Sequence, residues 1–215
     1  MNPLPETKSS LVLSYLELRQ AVGTIGILLP FVLMFGKILL DTPDILGSIS
    51  SYYYSVMGDV FVGSLCAIGV FLGSYRGHGR EDSIAGNLAC IFALGVAFFP
   101  TTPDSGATAH QTLIAGVHAF FAACFFLTLA FFALVLFRRT DPNKQPTPRK
   151  KLRNAIYSVC GYMILLSIAL IAAVTIFGKH SSIQQFSPVF VFESFAIVAF
   201  GISWFVKGEA IFKDE

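Results

Sequence analysis

Asp59, His118 and Glu193 are ionisable side chains set in or at the edge of long apolar stretches, and His110 stands eight residues before His118. Glu193 lies in VFVFESFAIVAF, with five uncharged residues on either side, and His118 lies in GVHAFF. Asp59 follows the run Tyr52, Tyr53, Tyr54, just as the sequence turns apolar. Carboxylates and an imidazole held together do three kinds of work. They relay a proton, act as general acid and base on a bound ester or amide, or ligate a metal ion.

Geometry limits the metal option. Eight residues of regular helix separate His110 from His118 by about 12 Å of rise, whereas zinc ligands sit about 2 Å from the ion. The two histidines therefore do not form a chelate, and no HxxxH or HExxH motif is present. No cofactor is expected. Zinc would need Asp59, His118 and Glu193 together. A serine nucleophile has a weaker signal: Ser50, Ser51 and Ser55 lie near Asp59, but no nucleophile-elbow motif frames any of them.

The elements that must position these groups follow from composition. The 215 residues are 54% hydrophobic and only 13% charged, with 22 phenylalanines, against about 25% charged residues in an average soluble domain. A soluble fold with so few charges could not cover its surface, whereas a bilayer removes that need. Residues 119–137 (AFFAACFFLTLAFFALVLF) contain no charge, amide or histidine, and a spanning helix needs about 20 such residues. The expectation is an all-α, polytopic membrane helix bundle forming one domain over 1–215. Its six transmembrane helices fall near 18–40, 55–75, 84–100, 111–137, 154–177 and 189–206.

Lys and Arg set the orientation. With six spans, 13 of the 15 basic residues share one side with both termini and with the loop 138–153, which holds three prolines and seven basic residues. Only Lys37 and Lys179 lie opposite. The positive-inside rule then puts both termini in the cytoplasm, N-in and C-in. No cleavable signal peptide is expected. The expected location is a bacterial inner (plasma) membrane. The four cysteines fall inside spans and read as packing residues.

On this topology Asp59 and Glu193 lie about 6–8 Å below the outer surface and His118 about 10–12 Å. The expectation is a polar pocket in the outer-leaflet half, built from Asp59, His110, His118 and Glu193, since isolated charges in hydrocarbon are costly. Asp59 also has a plainer reading, as an acid near a helix N-terminus, and the three tyrosines as an interfacial aromatic belt. His78 and His180 fall in loops with no expected role. Small residues Ala85, Ala89, Ala93 and Ala97, with Gly69 and Gly73 on the preceding span, mark two helices in close contact. Phe120, Phe121, Phe125, Phe126, Phe131 and Phe132 give the fourth span a bulky surface suited to lipid or a homo-oligomer interface.

The run GVAFFPTTPD (95–104), followed by His110 and GVHAFFAACFF (116–126), resembles the six-helix membrane families related to the DRAM autophagy modulators and the GPI-lipid-remodelling factors, with their bacterial relatives. That resemblance implies a lipid-related role without a defined reaction. A fainter likeness is to the alkaline ceramidase and adiponectin-receptor superfamily, which uses zinc to cut lipid amides. The present chain has six expected spans rather than seven, and it lacks paired histidines on one helix.

Three functions remain open. The first is a lipid-interacting protein with a polar outer-leaflet pocket. The second is a membrane-embedded lipid hydrolase, metal-dependent or not, so enzymatic activity stays undecided. The third is a proton-coupled small-solute transporter or channel. The absence of an internal repeat counts against transport. Membrane lipids are the expected partners, and no nucleic-acid partner is expected.

Overall fold

The computed structural model describes residues 6–77, 79–103, 105–140, 145–178, 181–209 and 211, with side chains from Tyr15 onward. His78, Asp104, Lys179, His180 and residues 141–144 of the basic loop lie outside the described residues. Among the described residues there are six α-helices: α1 (Glu6–Leu40), α2 (Gly58–Ser74), α3 (Arg80–Phe98), α4 (Ala109–Phe131), α5 (Pro148–Phe177) and α6 (Pro188–Lys207). Five of them are long and apolar enough to cross a membrane. The protein is an integral membrane helix bundle, with no strand among the described residues.

The helix starts follow local chemistry. Thr108 and Gln111 form a capping box before α4: the Thr108 hydroxyl accepts the Gln111 N–H at 3.2 Å, and Gln111 Oε1 accepts the Thr108 N–H at 2.9 Å. Thr147 caps α5 by accepting the Lys150 N–H at 3.0 Å, and Pro148 supplies a preset φ at the first position. Glu81 and Asp82 sit in the first turn of α3, where the helix dipole favours them. α4 ends in a π-helical turn, Phe132–Leu136, which directs Phe132 and Phe137 at Trp204 with ring centroids 5.4 and 5.2 Å away.

α2 has only 17 residues, about 25 Å at about 1.5 Å per residue. It nevertheless runs the depth of the bundle against α1. Gly36 of α1 meets Met57 at one end. At the other, the Tyr15 hydroxyl donates to the Ser74 carbonyl at 3.4 Å and accepts the Arg76 N–H.

The helices close into a ring, each against its neighbours in sequence and α1 against α6, with α4 and α6 barely touching. Small residues make the tight seams. Gly69 faces Ala93 and Gly73 faces Cys90 between α2 and α3, while Ala89, Ala93 and Ala97 are fully buried. The α1–α6 seam is tighter. A Cβ on Gly201 would lie 2.6 Å from Ile27 N and 2.7 Å from Gly23 O, and one on Gly26 would lie 3.1 Å from Gly201 Cα.

Two expectations change. α2 begins at Gly58 rather than 55, because residues 50–54 wind into a short 3-10 helix instead. Tyr52 consequently leaves the expected aromatic belt and is fully buried, 5.9 Å from the ring of Phe190. The phenylalanines of α4 also divide by face: Phe125 and Phe132 are buried, whereas Phe120 and Phe131 are exposed.

Candidate functional site

The connection between α1 and α2, residues 41–57, folds over one end of the ring and is pinned to several helices. Lys37, near the end of α1, is buried, and its ammonium donates to Thr42 Oγ1 and Asp44 Oδ1, each at 2.6 Å. Gly47 O accepts the Phe190 N–H at 2.9 Å, which satisfies one of the free donors of the first turn of α6. The Tyr54 hydroxyl donates to Thr101 O at 2.8 Å. The Ser48 hydroxyl accepts the Ser51 N–H at 3.0 Å and so turns the chain at Ile49.

That turn carries the site. Glu193 Oε2 of α6 accepts the Ile49 N–H at 2.5 Å. The next residue, Ser50, meets α4: Ser50 Oγ lies 3.0 Å from His118 Nε2. His118 Nδ1 lies 2.6 Å from the Phe99 carbonyl oxygen, just past the end of α3. A carbonyl oxygen only accepts, so Nδ1 carries the hydrogen. In the neutral ring Nε2 is then a lone pair facing the serine hydroxyl. Ser50 is 8% exposed and His118 5%.

Beneath the turn lies a cavity of about 30 Å³, bounded by Ser50 and Glu193 and by apolar groups including Leu29, Phe61, Phe125 and Phe126. A water needs about 10–15 Å³ of such volume, so the space takes about two or three waters or a group of that size. Its walls come from α1, α2, α3, α4 and α6, which places it on the axis of the ring.

The four candidate residues divide. His118 and Glu193 converge on the single step Ile49–Ser50. Asp59 does not join them. It is exposed in the first turn of α2, facing a groove it shares with Tyr53, Ser55 and Phe98, where the helix dipole alone favours a carboxylate. His110 is exposed in the first turn of α4. Among the described residues no three His, Cys, Asp or Glu side chains are grouped to hold a metal. Both nitrogens of His118 already face protein groups, so the donor set does not fit zinc.

Ser50 is the residue that sequence reasoning underweighted. Its one signal was proximity to Asp59, because it lies in a connection and not in a recognisable motif. A second polar cluster, at the opposite end of the ring, was also missed. There Asp82 is buried, 3.3 Å from the Tyr75 hydroxyl and 3.6 Å from Arg139, which also pairs with Glu81. The Arg19 guanidinium lies 5.4 Å from the Tyr75 ring, and Lys207 lies 5.3 Å from that of Phe137. Apart from Arg19, which lies within α1, the charged residues stand at or next to helix ends, where charge raises no suspicion in a sequence. The sequence matches no protein-family model, and no curated protein and no solved structure matches it.

Proposed function

We propose that this protein binds a membrane lipid through the cavity beneath residues 49–50, in the outward-facing half of the bilayer, with both termini cytoplasmic. The observation that carries the reading is the composition of the cavity: Ser50 and Glu193 line it together with residues that are otherwise all apolar. A lipid has the same division between a polar linkage and hydrocarbon. The cavity volume admits only a small group such as an ester carbonyl, so the chains stay among the helices and the bilayer, against the half-buried Phe126. The likeness of residues 95–104 and 116–126 to lipid-related membrane families points the same way.

Filling the cavity tests this. Ala122 lines it, whereas the adjacent Ala123 is exposed on the outside of the ring. Purified protein in nanodiscs of mixed phospholipids, released into native mass spectrometry, is expected to retain about one lipid per chain. Ala122→Leu should lose that lipid, and Ala123→Leu should keep it. Equal retention by both variants would remove the reading.

A further inference from the structure

We infer that Ser50 and His118 form a nucleophile–base pair that cleaves a carboxylic ester of the lipid bound in this cavity, an inference that rests on the lipid-binding reading above. The requirements of such a pair are geometric. The base must lie within about 2.6–3.2 Å of the nucleophile and must itself be oriented by a third group. Ser50 Oγ to His118 Nε2 is 3.0 Å, and Phe99 O holds Nδ1 at 2.6 Å. The carbonyl fixes the tautomer whose free lone pair faces the hydroxyl, which is the form that takes a proton from it. Phe99 thus supplies through its backbone what an acid supplies in a Ser-His-Asp triad.

A structural hydrogen bond alone would not need a cavity beside it. Ser50 lines the cavity as well as meeting the histidine. Glu193 is a positioning residue: it binds the Ile49 N–H and sets the backbone that carries Ser50. The surroundings are largely apolar.

The reaction balances with water as the sole co-reactant. Ser50 Oγ bonds to the ester carbonyl carbon while its proton passes to His118 Nε2. The bond from that carbon to the alkoxy oxygen breaks, and the leaving oxygen takes the proton from Nε2 as an alcohol. Water then adds to the acyl-serine carbon, with His118 taking its proton. The Ser50 Oγ–carbon bond breaks, Ser50 recovers the proton, and a carboxylic acid leaves.

The test is covalent capture by a long-chain alkyl fluorophosphonate, an electrophile that traps activated serines. Incubation with the full chain in nanodiscs should add one adduct, and peptide mass mapping should place it on Ser50. His118→Gln should slow labelling by about 100-fold, within the usual range for loss of a general base. Ser158→Ala, on α5, which lines no part of the cavity, should label at the wild-type rate. Mapping on the wild type keeps the test valid even where Ser50→Ala fails to fold. A wild-type protein that retains lipid but gains no adduct on Ser50 overturns the pair and leaves lipid binding standing. An adduct on Ser50 in a protein that retains no lipid does the reverse.

Discussion

Ser50 Oγ and His118 Nε2 are 3.0 Å apart although 68 positions separate them in sequence. Such a contact predicts non-additivity. Ser50→Ala and His118→Gln should each lower thermal stability, and the double variant should lose less than their sum. A coupling of roughly 0.5–3 kcal/mol is expected for residues in contact, read from unfolding curves in detergent. Strictly additive losses would mean that the two side chains do not share a hydrogen bond.

Glu193 predicts a difference between two replacements. Gln keeps an oxygen that accepts the Ile49 N–H, whereas Leu leaves that N–H buried without a partner, at a cost of about 1–3 kcal/mol. Glu193→Leu should therefore melt well below Glu193→Gln. Equal melting temperatures would show that the Ile49 contact contributes nothing.

The α1–α6 seam predicts a sharp contrast among glycines. Gly201→Ala places a methyl against the backbone of Gly23 and Ile27, while a Cβ on Gly63 meets nothing within 4 Å. The first change should cost at least the roughly 1–3 kcal/mol typical of overpacking, since backbone cannot move aside as a side chain does. Gly63→Ala should be neutral or slightly stabilising. Similar unfolding curves for the two variants would contradict the close approach of α1 and α6.

Much of this arrangement was legible in the sequence. The six helices follow from runs of hydrocarbon residues, and the α2–α3 contact from Gly69, Gly73 and the alanine stripe. That His118 and Glu193 turn into the bundle was readable because each stands alone in an apolar run. Their shared partner was not, because Ile49 contributes a backbone N–H that has no signature in residue type. Asp59 misled because the start of α2 depends on the 3-10 winding of residues 50–54, which propensity does not reveal. The α1–α6 seam pairs Gly23 and Gly26 with a residue about 175 positions away, beyond the reach of local spacing.

Acid should loosen the connection over the cavity. The Lys37 ammonium at 2.6 Å, with help from Thr42, holds the Asp44 carboxyl below its ordinary pKa. A depressed folded value stabilises the connection above the unfolded pKa of about 4. That contribution is lost as pH falls through the folded value. Hydrogen exchange in residues 41–49, corrected for intrinsic rates, should therefore rise between pH 6 and pH 3. Asp44→Asn should exchange faster at pH 6 and lose most of that pH dependence. An unchanged profile would remove Asp44 as the latch.

Orientation is open to direct measurement. Ser105, in the connection between α3 and α4, is expected outside and Glu215 inside. Ser105→Cys should react with a membrane-impermeant maleimide in intact cells, and a reporter fused after Glu215 should behave as cytoplasmic. Labelling of Ser105→Cys only after permeabilisation would invert the bundle and put the cavity in the opposite leaflet.

The closed ring also sets an order of assembly during synthesis. Residues 49 and 50 emerge early, and His118 arrives with the fourth helix, but Glu193 and Gly201 come only with the sixth. Until then the Ile49 N–H lacks its carboxylate, and α1 has one flank open to lipid or to chaperones. Insertion of the last helix therefore completes both the wall and the turn that holds Ser50, so a chain interrupted before residue 188 would carry the serine and the histidine without the support that aligns them.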